Sequence, residues 1–175
     1  NAASGGGVLR ELSHEIDYLG WIFGGVSWVS AWSGHQSTLE VDVEDTAHIT
    51  LGFRGISPGD SIVGQLNLDF VRHDRARNVV AICDGGTLRW DGISGRVDQW
   101  LAGGSEWEEV FSEAPGTSST YSRQWEAFCQ AVDGGAMVGA TADDALNVLR
   151  TIEAIRSSSK GGGQYQVPEF SELLA

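Results

Sequence analysis

Lysine and cysteine are both scarce in this chain of 175 residues. Lys160 is the only lysine, so a mechanism that needs an active-site lysine must take it from another chain or from a segment outside this sequence. Cys83 and Cys129 are the only cysteines. Two cysteines are too few for a disulfide framework, which favours the reducing environment of the cytoplasm.

Long apolar runs and positive charge are lacking as well. No apolar run approaches the roughly 20 residues of a membrane span, and the first residues do not have the pattern of a signal peptide. The chain has 11 Lys and Arg against 24 Asp and Glu, a formal net charge of −13. Nucleic acids require a basic surface, so we expect neither a nucleic acid nor a membrane as partner. The length and the 41% of hydrophobic residues fit one globular domain over residues 1–175.

Apolar residues at helical spacing predict one continuous helix from Val8 to Phe23, ended by Gly24-Gly25. Two further helices are predicted near the end, over Ser119–Val132 and Ala142–Ser158. Their apolar sides are Trp125, Phe128, Cys129 and Val132 in the first helix and Ala145, Val148, Leu149 and Ile152 in the second. Thr141 is the predicted N-cap of the last helix. A short strand, Gln164–Val167, is predicted after it.

The middle of the chain alternates between short strand patterns and turn signals. Because the links are short, neighbouring strands are expected to be antiparallel. In the second strand Ala47 and Ile49 share one face while His48 lies on the other, so one face packs on helices. The fold class is therefore α+β, an open and mostly antiparallel sheet with helices packed on one face. The predicted strands are Val26–Gly34, Asp45–Phe53, Ser61–Val71, Asn78–Cys83, Thr87–Trp90, Val97–Leu101 and Trp107–Phe111.

Two tryptophans of the first predicted strand, Trp28 and Trp32, share one face. If that face is the one without helices, self-association of the chain explains them most simply. If helices cover it, they are core residues. The sequence leaves both alternatives open.

The polar side of the first predicted helix carries the most informative pattern. His14 lies one turn from both Glu11 and Asp17, so either carboxylate could hold the imidazole in one tautomer and keep it basic. Such a histidine can carry a proton near neutral pH. An ordinary solvated helix face explains the same spacing. The full polar stripe is Arg10, Glu11, His14, Asp17, Tyr18 and Trp21.

Other site patterns are weaker. No second histidine completes a zinc-protease helix, and the acidic segment from Glu40 to Asp45 suits a strand end better than a calcium loop, so no metal site is expected. The glycine-rich stretches lack the order of a dinucleotide-binding loop, so no cofactor-binding residue is assigned in this chain. Arg72 and His73 open a basic cluster that either binds an anionic substrate group or forms a charged turn beside Asp69 and Asp74.

Four segments follow one another in a recognisable order. Together they resemble the C-terminal domain of the Gfo/Idh/MocA oxidoreductases, and the resemblance covers nearly the whole chain. The segments are Gly5-Gly6-Gly7 with His14-Glu15-Ile16-Asp17 and Trp21-Ile22-Phe23-Gly24; Val43-Glu44-Asp45-Thr46-Ala47; Gly85-Gly86-Thr87-Leu88 with Trp90-Asp91; and Asp144-Ala145-Leu146 through Ile152–Ser158.

The resemblance implies a fold like that of dihydrodipicolinate reductase, with a sheet whose open face commonly assembles a homo-oligomer. It also implies a longer NAD- or NADP-dependent oxidoreductase, of which residues 1–175 are the substrate-binding and oligomerisation domain. In the family, a Rossmann domain binds the cofactor and supplies a lysine in an E-K-P motif. The abrupt start and the single lysine fit a chain without that domain, so the fragment alone is expected to be inactive.

The family's helix histidine matches His14, which implies proton transfer with a substrate hydroxyl. The family often has Asp four residues earlier, where this sequence has Arg10, so Glu11 replaces that partner or Arg10 binds an anionic substrate. The resemblance thus makes His14 catalytic and Asp17 and Glu11 orienting, and leaves Arg10, Arg72 and His73 as candidate substrate contacts.

The expected substrate is a small sugar, polyol or nucleotide sugar. Two alternatives remain: an NAD-dependent glycoside hydrolase of the same family, and a non-catalytic oligomerisation module.

Overall fold

The computed structural model describes residues 3, 5–57, 59–113 and 119–168, and within them the chain forms four helices and eight strands. The strand bounds differ from the predicted ones by at most two residues. The elements are α1 Val8–Glu11, α2 Ser13–Phe23, β1 Val26–Gly34, β2 Thr46–Phe53, β3 Ile62–Asp69, β4 Asn78–Cys83, β5 Gly86–Asp91, β6 Arg96–Leu101, β7 Glu108–Ser112, α3 Ser119–Val132, α4 Ala142–Gly161 and β8 Gln164–Gln166.

The strands form two four-stranded sheets, in the orders β3-β2-β1-β8 and β4-β5-β6-β7. Every strand pairing described is antiparallel, which confirms the predicted α+β class. The first sheet belongs to a compact unit made of Asn1–Val71 and Ala140–Ala175, and the second to a unit made of Arg72–Gly139.

The core of the first unit lies between its sheet and the helices α2 and α4. In β2, Ile49 and Leu51 are buried while His48 between them is exposed, as the alternation predicts. Helix α4 packs on β1, and α2 packs on α4. Ile152 and Ile155 are the fully buried large residues that α4 contributes.

The first helix is not continuous, and the prediction of one helix over Val8–Phe23 was wrong. Leu12 has φ −103° and ψ 23°, outside the helical region, and it separates α1 from α2. The backbone N–H of Val8 donates to Glu44 O at 2.9 Å, so the loop before β2 also holds α1. Apolar spacing of three and four residues cannot show such a break, because Leu9 and Ile16 are buried on both sides of it.

Helix α4 begins at a capping box. Asp144 N–H donates to the Thr141 hydroxyl at 3.2 Å, and Thr141 N–H donates to the Asp144 carboxylate at 2.8 Å, which confirms Thr141 as the N-cap. The buried side of α4 lies closer to the C-terminal end of the helix than predicted, because Leu149 is exposed and Ile155 is buried.

The predicted apolar side of α3 is not buried. Trp125, Phe128 and Val132 are all exposed, and the first two stack with ring centroids 5.7 Å apart.

The open face of the first sheet carries Trp28 and Trp32. Their neighbour Val29 is buried on the opposite, helix-covered face. Trp32 is 46% exposed and stacks on His48, with ring centroids 6.0 Å apart. A hydrogen bond of 2.7 Å joins His48 Nδ1 to Asn67 Oδ1. Of the two alternatives for the tryptophans, the structure therefore selects the face without helices.

Buried Asp98 organises the sheet of the second unit. Its carboxylate accepts hydrogen bonds from Arg89 at 2.9 Å and from Arg96 at 2.6 Å. The hydrogen bond from Arg89 is the main cause of a pKa of Asp98 below the ordinary value. The Arg89 guanidinium also lies 4.4 Å from the ring centroid of Trp107.

Removing the side chain of Ile155 should destabilise the protein. Ile155→Ala leaves a cavity between α4 and β1, and we expect the free energy of unfolding to fall by about 2–5 kcal/mol. Leu149→Ala, on the exposed side of the same helix, should change it by no more than about 0.5 kcal/mol. Urea unfolding of both variants measures the difference, and equal losses would contradict this assignment of the buried side.

Candidate functional site

His14 lies near the start of α2, on the side of the helix that faces away from the core. Ile16 and Leu19 are buried and fix the rotation of α2, while the His14 side chain is 53% exposed. Its Nε2 lies 3.1 Å from Glu15 Oε1. An exposed imidazole beside a carboxylate can exchange a proton with a bound molecule.

The carboxylate beside His14 is not one of the two that the spacing singled out. Within the described residues, His14 contacts Glu15, a neighbour in sequence, instead of Glu11 or Asp17. Glu11 belongs to α1, on the other side of the break at Leu12, and its side chain is exposed. Asp17 is partly buried in α2. Their orienting roles stay predictions without a supporting contact.

Arg10 opens onto a polar cleft of about 700 Å³ within the first unit. The cleft lies between α1, the loop from β1 to β2 and the last turns of α4. Its only large apolar residue is Val43, so it suits a polar ligand. The lining residues are Gly5, Gly6, Arg10, Ser33, His35, Asp42, Val43, Glu44, Glu153, Arg156, Ser159 and Lys160.

Arg156 ties two sides of the polar cleft together. Its guanidinium lies 3.5 Å from Glu44 Oε1 and 3.1 Å from Glu153 Oε1. The Glu44 carboxylate also fills the space where a side chain at position 7 would begin. Gly7 has φ 122° and could not be replaced without displacing Glu44, which explains a glycine at this position.

A second histidine, His35, lines the polar cleft and contacts a buried aspartate. Asp45 is fully buried and lies 3.3 Å from His35 Nε2. The carboxylate also accepts hydrogen bonds from the backbone N–H groups of Gln36 and Ser37, at 2.8 and 3.0 Å, and from the Ser37 hydroxyl at 2.6 Å. Burial alone would raise the pKa of Asp45, but these hydrogen bonds hold it well below the usual range.

Sequence reasoning did not single out this pair. A signal was nevertheless present, because His35 directly follows β1 and Asp45 directly precedes β2. Antiparallel pairing of the two strands brings these positions together, and Asp45 N–H donates to Gly34 O at 3.1 Å.

Arg72 and His73 belong to the second unit. Arg72 binds Asp74 through two hydrogen bonds, of 2.8 and 2.9 Å, and both side chains are exposed. The hydrogen bond from Arg72 is the main cause of a lowered pKa of Asp74. This geometry favours the charged turn over an anion site, and substrate contacts from Arg72 and His73 stay predictions.

Neither a dinucleotide-binding unit nor a metal cluster occurs in the described parts of the chain. A dinucleotide-binding unit needs parallel strands joined by a helix, and the pairings found here are all antiparallel. No three His, Cys, Asp or Glu side chains among the described residues come close enough to hold a metal ion. None of the described helices is both long and apolar enough to cross a bilayer.

A family model described as the GFO/IDH/MocA C-terminal domain matches residues 1–89. No curated protein sequence matches the chain.

Solved structures share the fold at low sequence identity. A levoglucosan dehydrogenase in complex with NADH and levoglucosan has 18% identity and a TM-score of 0.83, over 95% of this chain and 52% of its own. The WlbA dehydrogenase from Bordetella pertussis, in complex with NADH and UDP-GlcNAcA, has 20% identity and a TM-score of 0.71, over 94% of this chain and 46% of its own. An oxidoreductase structure from Thermotoga maritima has 18% identity and a TM-score of 0.73, over 92% and 47%. The chain thus spans about half the length of these proteins.

Because of Asp45, the stability of the fold should decrease as the pH becomes strongly acid. Its pKa is lowered in the folded state, so its contribution is present above the unfolded-state pKa, about 3.9, and is lost as pH falls through the lower folded-state value. Asp45→Asn should therefore lower the urea midpoint at neutral pH and flatten its fall between neutral and strongly acid pH.

Glu40→Gln is the matched control, because Glu40 is an exposed acid in the same loop. It should keep the neutral midpoint and the acid profile of the unchanged protein. An Asp45→Asn variant with that same profile would show that Asp45 does not hold the loop.

Proposed function

Because this chain belongs to the Gfo/Idh/MocA oxidoreductases through their C-terminal domain, we propose that it is the substrate-binding domain of an NAD(P)-dependent dehydrogenase. The proposed reaction removes hydrogen from a hydroxyl-bearing carbon of a sugar, polyol or nucleotide sugar, or adds it back. The observation that carries the proposal is the exposed imidazole of His14, held on a helix whose other side is buried.

His14 is proposed to handle the proton of the reaction. When the substrate carbon is oxidised, its hydroxyl loses a proton, and an imidazole within hydrogen-bond reach can accept it. In the reverse direction the imidazolium returns the proton to the carbonyl oxygen. Glu15, 3.1 Å from Nε2, can accept a hydrogen bond from that nitrogen, and Glu11 and Asp17 are further candidates for orienting the ring in the intact protein.

The cofactor is proposed to be NAD or NADP, bound by a part of the protein other than this chain. The described residues offer no strand, phosphate loop and helix for it, and we assign them no step of hydride transfer. Lys160, the only lysine of the sequence, lies in the polar cleft at the end of α4 and is likewise assigned no part in hydride transfer. Because the cofactor is proposed to be bound elsewhere, the chain alone is proposed to be inactive.

Two solved relatives support the substrate class, since one is complexed with levoglucosan and the other with UDP-GlcNAcA. Arg10 is the proposed substrate contact of the first unit, because its exposed guanidinium lines the polar cleft. Arg72 and His73 are weaker candidates, since Arg72 binds Asp74.

The open face of the first sheet is proposed to join two copies of the chain. Trp32 and Val63 are exposed there, and most side chains around them are uncharged; the ionisable ones are His48 and, at the end of β3, Asp69. Two chains with a net charge of −13 repel each other least where a face with so few charges forms the contact. The neutral neighbours are Trp28, Ser30, Thr50, Gln65, Asn67, Gln164 and Gln166.

His14→Gln in the intact protein should lower kcat by about 10²–10⁴-fold, the usual contribution of a general acid or base, with a smaller change in KM. The measurement is steady-state reduction of the nicotinamide cofactor with candidate sugars. Ser13→Ala, the preceding position of α2, should leave kcat within about twofold of the unchanged protein.

An unchanged kcat for His14→Gln would remove the proposed catalytic role and favour a non-catalytic module. Release of free sugar from a glycoside without accumulation of reduced cofactor would identify a hydrolase instead.

Replacing Trp32 by Glu should dissociate the proposed oligomer. The change places a charge on the open face, where two copies would bring like charges together. Light scattering coupled to size exclusion measures the mass, and circular dichroism checks the fold. Trp21→Glu is the control, because Trp21 is 85% exposed on α2, away from the open face. Equal masses for both variants and the unchanged protein would contradict this interface.

A further inference from the structure

Positive side chains lie in the polar cleft beside the three carboxylates of Asp42, Glu44 and Glu153. Three of the 11 Lys and Arg residues, Arg10, Arg156 and Lys160, line it. Arg156 is neutralised by Glu44 and Glu153. The side chains of Arg10 and Lys160, in contrast, have no ion-pair partner within residues 3, 5–57, 59–113 and 119–168. The cleft therefore offers two cations to a ligand.

The backbone at Arg10 and at Lys160 is fixed by buried neighbours and by hydrogen bonds. Arg10 follows Val8 and Leu9, which are completely buried, and the backbone of Val8 is bonded to the loop before β2. Lys160 follows Ser158 and Ser159, whose hydroxyls accept hydrogen bonds from Ala31 N–H and Ser33 N–H of β1, both at 2.9 Å. A ligand then has to order only the ends of two side chains, which reduces the entropic cost of binding.

His35 adds a third polar group to the same cleft. Asp45, ionised and buried, faces Nε2 at 3.3 Å, so that nitrogen carries a hydrogen. The ring is 40% exposed and is held at the mouth of the loop from β1 to β2. The negative charge of Asp45 is already satisfied by donors from its own loop, so it does not compete for Arg10 or Lys160.

We propose that the polar cleft binds an oxyanion, the acid group of a small hydroxylated molecule, through Arg10 and Lys160. A guanidinium and an ammonium together match a carboxylate or a phosphate group. The carboxylates of Asp42, Glu44 and Glu153 lie in the same cleft; they disfavour a dianion and accept hydrogen bonds from hydroxyl groups. A hydroxylated monoacid such as a sugar acid is therefore preferred to inorganic phosphate. This binding rests on the proposed function, which makes Arg10 a substrate contact, but its test needs neither the cofactor nor a proton carrier.

Calorimetric titration of the intact protein, without cofactor, tests the cleft with three probes: D-glucuronate, inorganic phosphate and D-glucose. We expect glucuronate to bind more tightly than the neutral sugar, and less tightly as salt is added. Arg10→Gln and Lys160→Gln should each weaken glucuronate binding by about tenfold or more, the loss expected for a charge-assisted hydrogen bond. Lys160→Arg should retain most of the affinity, since it keeps the charge. Arg150→Gln, a position of α4 outside the cleft, is the matched control and should bind as the unchanged protein does.

Comparing the affinities for glucuronate and phosphate identifies the kind of molecule that carries the acid group. Tighter binding of glucuronate than of phosphate supports a hydroxylated acid as the ligand, and equal or tighter binding of phosphate would contradict it. Equal binding of glucuronate and glucose, or full affinity in the Lys160→Gln variant, would overturn the proposal. His14→Gln should still bind glucuronate, so that a failure of the proposed catalytic role is distinguishable from a failure of the cleft.

Discussion

The first unit depends on one buried carboxylate, that of Asp45. It stands where β1, β2 and the end of β3 meet, because Asp45 N–H donates to Gly34 O and Phe70 N–H donates to Asp45 O. A fully buried ion is costly unless donors surround it, and here the donors come from the loop between β1 and β2. The carboxylate therefore determines the shape of that loop. The loop in turn positions His35 in the polar cleft and, through Glu44 O, binds the first turn of α1.

The strands were predictable because their buried and exposed side chains alternate with a period of two residues. In β2 the buried Ile49 and Leu51 alternate with His48 and Thr50, and in β3 the buried Leu66 and Leu68 alternate with polar side chains. The helices were less predictable. The break at Leu12 is not visible in the apolar spacing, since Leu9 and Ile16 are buried on both sides of it. In α4 the buried side was misplaced, because Thr151 and Ser158 are buried among the apolar residues and Leu149 is not.

The candidate site was predictable only in part. The exposure of His14 follows from the buried positions of the same helix, Ile16 and Leu19. Its neighbour in space, Glu15, was overlooked because helical spacing favours residues three and four apart, whereas rotamers of adjacent residues can also bring two ends together. His35 and Asp45 are ten positions apart, and their contact depends on the register of two strands. Pairwise contacts of this kind become visible only when the strand pairing is known.

The two serines at the end of α4 have a consequence for assembly. β8 pairs with only part of β1, at Trp28, Val29 and Ser30, and the rest of that side of the strand would be an open edge. The hydroxyls of Ser158 and Ser159 occupy it, accepting from Ala31 N–H and Ser33 N–H, and Ser159 donates back to Ser33 O. A foreign strand cannot add to groups that are already satisfied. The helix end thus protects this part of the β1 edge against pairing with a foreign strand.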